Sequence, residues 1–104
     1  MGQNDLQTFG EYLRKLREEK ELSLRKAATD LNIDPSLLAK IERNERQPTK
    51  EFINTVAEFY KIDCKKLSKE YLSDQIAYKI LDEEADLDIL KVAEQKVKYL
   101  KTKK

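Results

Sequence analysis

Ser36, Ala39, Lys40 and Arg43 recur at helical spacing just behind a break at Asn32-Ile33-Asp34-Pro35, in the stretch LNIDPSLLAKIERNERQP. The face they make mixes small and cationic side chains. Leu37 stands at its border, and Arg46 and Lys50 lie beyond it. The chemistry open to such a set is non-covalent. A cation can pair with an acidic group, and small neighbours let a partner approach closely; an ordinary solvated helix surface has the same composition. Covalent chemistry has little to work with. The chain contains no His, so a Ser–His pair, a Cys–His pair and a His-containing zinc site are all excluded. Cys64 is the single cysteine; it cannot form an internal disulfide and fits a reducing, cytoplasmic setting. The carboxylates are scattered among lysines at helical spacing, the pattern of a solvated face. No enzyme activity, metal or cofactor is expected.

These side chains need a scaffold, and the composition points to helices. The chain has 104 residues, two Gly and two Pro, and 39% of it is charged. Strand-and-turn proteins need more turn residues than that. The length suits one small domain, alone or with an appendage. Net charge is +1 overall. Residues 1–60 hold ten Lys/Arg against eleven Asp/Glu, a net of −1, and residues 61–104 hold eleven against nine, a net of +2. Any contact with nucleic acid therefore rests on a local patch. No apolar run approaches the ~18 residues of a membrane span.

Along the chain, residues 1–7 read as a loose arm. Thr8 with Glu11 has capping-box spacing, and Phe9, Leu13 and Leu16 make the inner stripe of a first helix. Ser23 caps a second, with Leu24, Ala27, Ala28 and Leu31 inward. Asn32 suits a left-handed exit, Asp34 an N-cap and Pro35 a first helical position. Leu38 and Ile41 face inward on the third helix, and Asn44 suits its exit. Thr49 caps a fourth helix built on Phe52, Ile53, Val56, Ala57 and Tyr60. Asp63 caps a fifth, carrying Leu67, Tyr71, Leu72, Ile76, Ala77 and Ile80. An acidic linker over 82–88 precedes a last helix with Leu90, Ala93, Val97 and Leu100, and KTKK reads as a frayed end. The expected division is a domain over 1–62 and an extension over 63–104.

Helix, tight corner and short helix over 24–44 form a helix-turn-helix by pattern. Ala28 is the small residue a steep crossing needs, and Ile33 fills the space behind the corner. The identities go further. SLRKAATDLNIDPSLLAKIERNERQPT resembles the Cro/repressor-type (Xre) helix-turn-helix family, with Ala27-Ala28, Ser36, Leu38, Ala39, Ile41-Glu42, Asn44 and Pro48 in the family's places. The resemblance covers about residues 9–62. It implies an all-α, five-helix, lambda-repressor-like DNA-binding domain, here with a C-terminal helical extension. It makes 35–44 the recognition helix, whose outer face enters the major groove of double-stranded DNA. Lys40 then reaches a base edge or a phosphate, and Leu37 a thymine methyl. Ser36 and Ala39 permit the approach, and Arg43, Arg46 and Lys50 lie along the backbone. Ser23 and Arg25 open the second helix at a natural phosphate site. The family pairs Glu42 internally with an arginine of the first helix, here Arg17. Asn32 and Asn44 replace family glycines. Leu24 replaces a phosphate-anchoring Gln, with Arg25 beside it to substitute.

Residues 63–104 carry more apolar stripe than a monomer of this size needs. Leu67, Tyr71, Ile76 and Ile80 make one line, and Leu90, Val97 and Leu100 a second, so a homodimer interface is expected there. The alternative is that these helices fold back on the domain's own core. The function expected is a sequence-specific transcriptional regulator binding an inverted-repeat operator as a homodimer. Two alternatives stand beside it. One is an antitoxin or restriction–modification controller of the same fold, which has a different partner, such as a toxin. The other is a protein-interaction module without DNA binding, which the near-zero charge suits.

Overall fold

The computed structural model describes residues 6–103. Residues 1–5, most of the expected arm, and Lys104 of the expected frayed end lie outside the described residues. Those described form six helices and no strand: α1 (Phe9–Glu19), α2 (Leu24–Leu31), α3 (Pro35–Glu42), α4 (Lys50–Tyr60), α5 (Cys64–Asp82) and α6 (Asp88–Thr102). The last helix runs through Thr102, so Lys101 and Thr102 of KTKK are helical.

Local chemistry sets most of these boundaries. Thr8 accepts from the Glu11 amide while the Glu11 carboxylate accepts from the Thr8 amide, a complete capping box. Ser23 accepts from Lys26 N–H and Thr49 from Phe52 N–H at the starts of α2 and α4. Each cap satisfies a donor that has no partner inside the helix. Asp63 accepts from the Lys65 amide where α5 begins. Helices α1 to α5 are each followed by a non-glycine residue at positive φ: Glu21, Asn32, Asn44, Lys61 and Glu84. The next amide then turns back to a carbonyl five residues earlier, as in Leu22 to Arg17 and Ile62 to Ala57. This is the left-handed exit that closes a helix end.

Two compact units follow, residues 1–74 and 75–104. The first buries Phe9, Tyr12 and Leu13 of α1, Ala27, Ala28 and Leu31 of α2, Leu38 and Ile41 of α3, five residues of α4 and Leu67 of α5. Leu67 is completely buried in this core, so it is unavailable to the dimer interface expected for it. Tyr71 is partly buried and meets Phe9 edge-on, with centroids 6.4 Å apart, so it too packs within its own domain. The Asp74 carboxylate accepts the Phe9 amide at 2.7 Å and so caps α1 from α5. The compact domain thus closes at Asp74 rather than at Ile62, because the first half of α5 supplies packing that α1 lacks.

In the second unit, the chain leaves α5 through Glu84 at φ 52°, and the Asp86 carboxylate accepts the Asp88 amide as α6 begins. No residue of α6 is buried. Ile76, Leu81, Leu87, Leu90, Val97 and Leu100 are all exposed, and Ile80 is half-buried. Among the described residues, no helix is long and apolar enough to cross a membrane.

Candidate nucleic-acid interface

The corner before α3 is built from both sides. Asn32 sits at φ 59°, which directs its amide to Thr29 O and the Ile33 amide to Ala28 O at 3.0 Å. Ala28 is fully buried and Ile33 packs against the core. Complete burial leaves no room for a larger side chain at position 28. From the other side, the Asp34 carboxylate accepts from the amides of Ser36 and Leu37 and from the Ser36 hydroxyl. Its pKa is lowered, first by the Ser36 hydroxyl bond. Ser36 is therefore part of the helix start as well as of its outer face.

Beneath α3, Arg17 clamps Glu42. Nε donates to Oε2 at 2.8 Å and Nη2 to Oε1 at 3.0 Å, while Nη1 donates to the Leu22 carbonyl. The side chains are only 12% and 5% exposed. The guanidinium pKa is raised, first by its bond to Glu42. One ion pair thus ties the end of α1, the loop after it and the end of α3 together. The Tyr60 hydroxyl is buried nearby without a hydrogen-bond partner. Burial first, and then the Glu42 charge, raise its pKa.

Above this base, Ser36, Lys40 and Arg43 are exposed, and Leu37 and Ala39 are half-buried. Positions 36, 39/40 and 43 share one face of α3, as 3.6 residues per turn requires. Ser23, Arg25, Arg46 and Lys50 are exposed as well. The Ser23 hydroxyl is already used as the α2 cap, and Lys50 borders a shallow cleft with Ile53, Asn54, Ser68, Tyr71 and Leu72. The coherent cationic set is therefore Lys40 and Arg43, with Arg25 and Arg46 on flanking segments.

Two features escaped sequence reasoning. Glu45 grips Arg43, accepting from Nε and Nη2 at 3.1 Å each; the Arg43 bond lowers the Glu45 pKa. Opposite charges two positions apart were the available signal. The second is the join between α1 and the end of α3. Asn44 Nδ2 donates to Thr8 Oγ1 at 2.9 Å, which is what asparagine supplies at this exit and glycine lacks. Gly10 lies under the same join; a Cβ there would stand 2.5 Å from Ile41 O and 2.7 Å from Glu42 O. A lone glycine inside a helix was the signal for such a close approach.

With the geometry in place, comparison with known proteins assigns the chain. The helix-turn-helix domain family matches residues 10–73. No curated protein matches. Among solved structures, the restriction-modification controller protein C.AhdI from Aeromonas hydrophila is 32% identical, with a TM-score of 0.53 over 57% of this chain and 89% of that one. SinR, a master regulator for biofilm formation solved in complex with DNA, is 28% identical, with a TM-score of 0.53 over 58% of this chain and 97% of that one. A SinR/SinI protein complex covers 91% of this chain and 99% of that one, with a TM-score of 0.55; at 20% identity it supports the fold alone. The all-helical, lambda-repressor-like arrangement and the 10–73 match agree: this chain belongs to the helix-turn-helix domain family, of the Xre type.

Proposed function

We propose that this protein is a sequence-specific transcriptional regulator that binds an inverted-repeat operator as a homodimer. The observation that carries the reading is the outer face of α3, with small residues at 36 and 39, cations at 40 and 43, and a base locked by Arg17–Glu42. A similar chain, SinR, was solved on DNA. A short helix presented this way inserts into the major groove with its outward side chains at base edges. The dimer is inferred from the exposed apolar residues of 75–104, above all Leu81, Leu87, Tyr99 and Leu100. Large exposed apolar patches mark interfaces, and a two-fold dimer demands a two-fold operator.

A narrower reading is a restriction–modification controller, favoured by the 32% identity to C.AhdI across most of that chain. Genomic neighbours separate the two.

The test is binding-site selection from random duplex DNA, followed by affinity measurements on the selected site. The expected result is an inverted repeat. Lys40→Ala should weaken binding by about 1–3 kcal/mol if it reads a base, with relaxed preference at one position; if it contacts phosphate, the loss is uniform and the salt slope falls by about one. Selection of no sequence, with unchanged affinity in Lys40→Ala, would end the reading.

A further inference from the structure

We propose that Glu45 is a positioning residue for sequence reading, a role that rests on the DNA-binding function proposed above. It holds Arg43 so that the free end of the guanidinium presents a two-pronged donor to a guanine in the major groove.

The backbone prepares the contact. The Arg43 amide still bonds Ala39 O, so Arg43 continues the face that carries Ser36, Ala39 and Lys40. Asn44 then turns to φ 63°. That reversal brings the Glu45 amide back to Lys40 O at 2.8 Å and the Asn44 amide to Ile41 O at 3.0 Å. The Asn44 side chain anchors the turn to Thr8 of the α1 cap. Glu45 is thereby folded back over the last turn of α3, beside Arg43.

The side-chain geometry is specific. Glu45 takes Nε and Nη2, the lateral edge of the guanidinium. Arginine has five N–H donors in a planar fork, so three remain, two on Nη1 and one on Nη2. One from each of these nitrogens points end-on, and this pair matches the O6 and N7 acceptors of guanine. The two side chains are 57% and 55% exposed; such exposed pairs contribute little to folding stability. What the pair does provide is orientation. A long flexible cation is held in one geometry before binding, which lowers the ordering cost when it docks.

The carboxylate also carries a penalty on any duplex, since it repels phosphate. Residues 1–74 contain fourteen Lys/Arg and fourteen Asp/Glu, a net of zero, so attraction to DNA in general is already weak. Placing an acid on this face trades general affinity for discrimination at one base pair.

The experiment uses the full chain and measures fluorescence anisotropy on the selected operator, on operators with each G·C pair replaced in turn, and on an unrelated duplex. Wild type, Glu45→Gln, Glu45→Ala and Arg43→Ala are compared, with thermal melts to verify folding. The expected result is that both Glu45 variants bind the unrelated duplex more tightly while losing about tenfold of the preference for one G·C pair, the same pair at which Arg43→Ala loses its preference. If both Glu45 variants bind every duplex more tightly by an equal factor and keep all base preferences, Arg43 contacts phosphate and the inference is overturned. A wild type that selects no sequence overturns the DNA-reading function and this inference with it; a wild type that selects an operator whose every G·C preference survives Glu45→Gln overturns this inference alone.

Discussion

At the scale of single residues, the acid that looks most out of place on a DNA-facing helix is Glu42. It points inward and meets Arg17 through two hydrogen bonds, both side chains nearly buried. Removing one partner leaves the other charge desolvated, at a cost of about 3–5 kcal/mol. Glu42→Gln and Arg17→Met should each lower the melting temperature, and the double variant should lose less than their sum; additive, small losses in chemical denaturation would show that the pair does not hold the fold. Asp74 gives a second expectation. Burial raises its carboxyl pKa from an ordinary 3.8, against the Phe9 amide bond that lowers it, and Glu11 adds to the rise. A raised value means the folded chain holds the proton more tightly than the unfolded one. The linked stability is therefore present below the ordinary value and is lost as pH rises through the raised one. Asp74→Asn keeps an acceptor for Phe9 but cannot titrate. Urea melts should show it gaining on wild type from acidic to neutral pH, and a constant difference between the two would contradict this.

At the scale of elements, the placement of α3 depends on two small features at its ends. Asn32 and Asp34 make the corner at one end, and Asn44 and Gly10 make the join to α1 at the other. Gly10→Ala would bring a methyl against two backbone carbonyls that cannot rotate away, so α1 and α3 must separate. Overpacking of this kind costs about 1–3 kcal/mol. The melting temperature should fall accordingly, and DNA affinity should fall with it even though position 10 is buried. A variant as stable as wild type would mean that the helices slide apart freely.

At the scale of the whole molecule, the boundary at Asp74 makes a direct expectation. A chain ending at Ile62 lacks Leu67 and Tyr71; loss of a buried leucine side chain alone costs about 2–5 kcal/mol, so that chain should be largely unfolded. A chain ending at Asp74 keeps the full core. It should melt cooperatively, sediment as a monomer and bind the selected operator more weakly than the full chain. Analytical ultracentrifugation at micromolar concentration decides the dimer: a monomeric full chain rules it out, and a dimeric chain ending at Asp74 places the interface elsewhere.

What the sequence determined by itself is what short stretches control. Thr8 with Glu11, Ser23, Asp34 with Pro35, and Thr49 each act within three residues, so helix starts were legible. Asn32 and Asn44 as left-handed exits were legible for the same reason, since φ is a property of one residue and its neighbours. The pairing of Arg17 with Glu42, 25 positions apart, was reached through family resemblance and not through spacing. Tertiary structure alone decided which apolar stripe meets which. Apolar spacing says that one face of α5 is buried and is silent about its partner, so Leu67 and Tyr71 read as interface when Leu67 is core and Tyr71 packs against that core. Asp74 capping α1 from 65 residues away, Asn44 reaching Thr8 across 36, and the backbone pressed against Gly10 are contacts between segments that only packing brings together. No local preference encodes them.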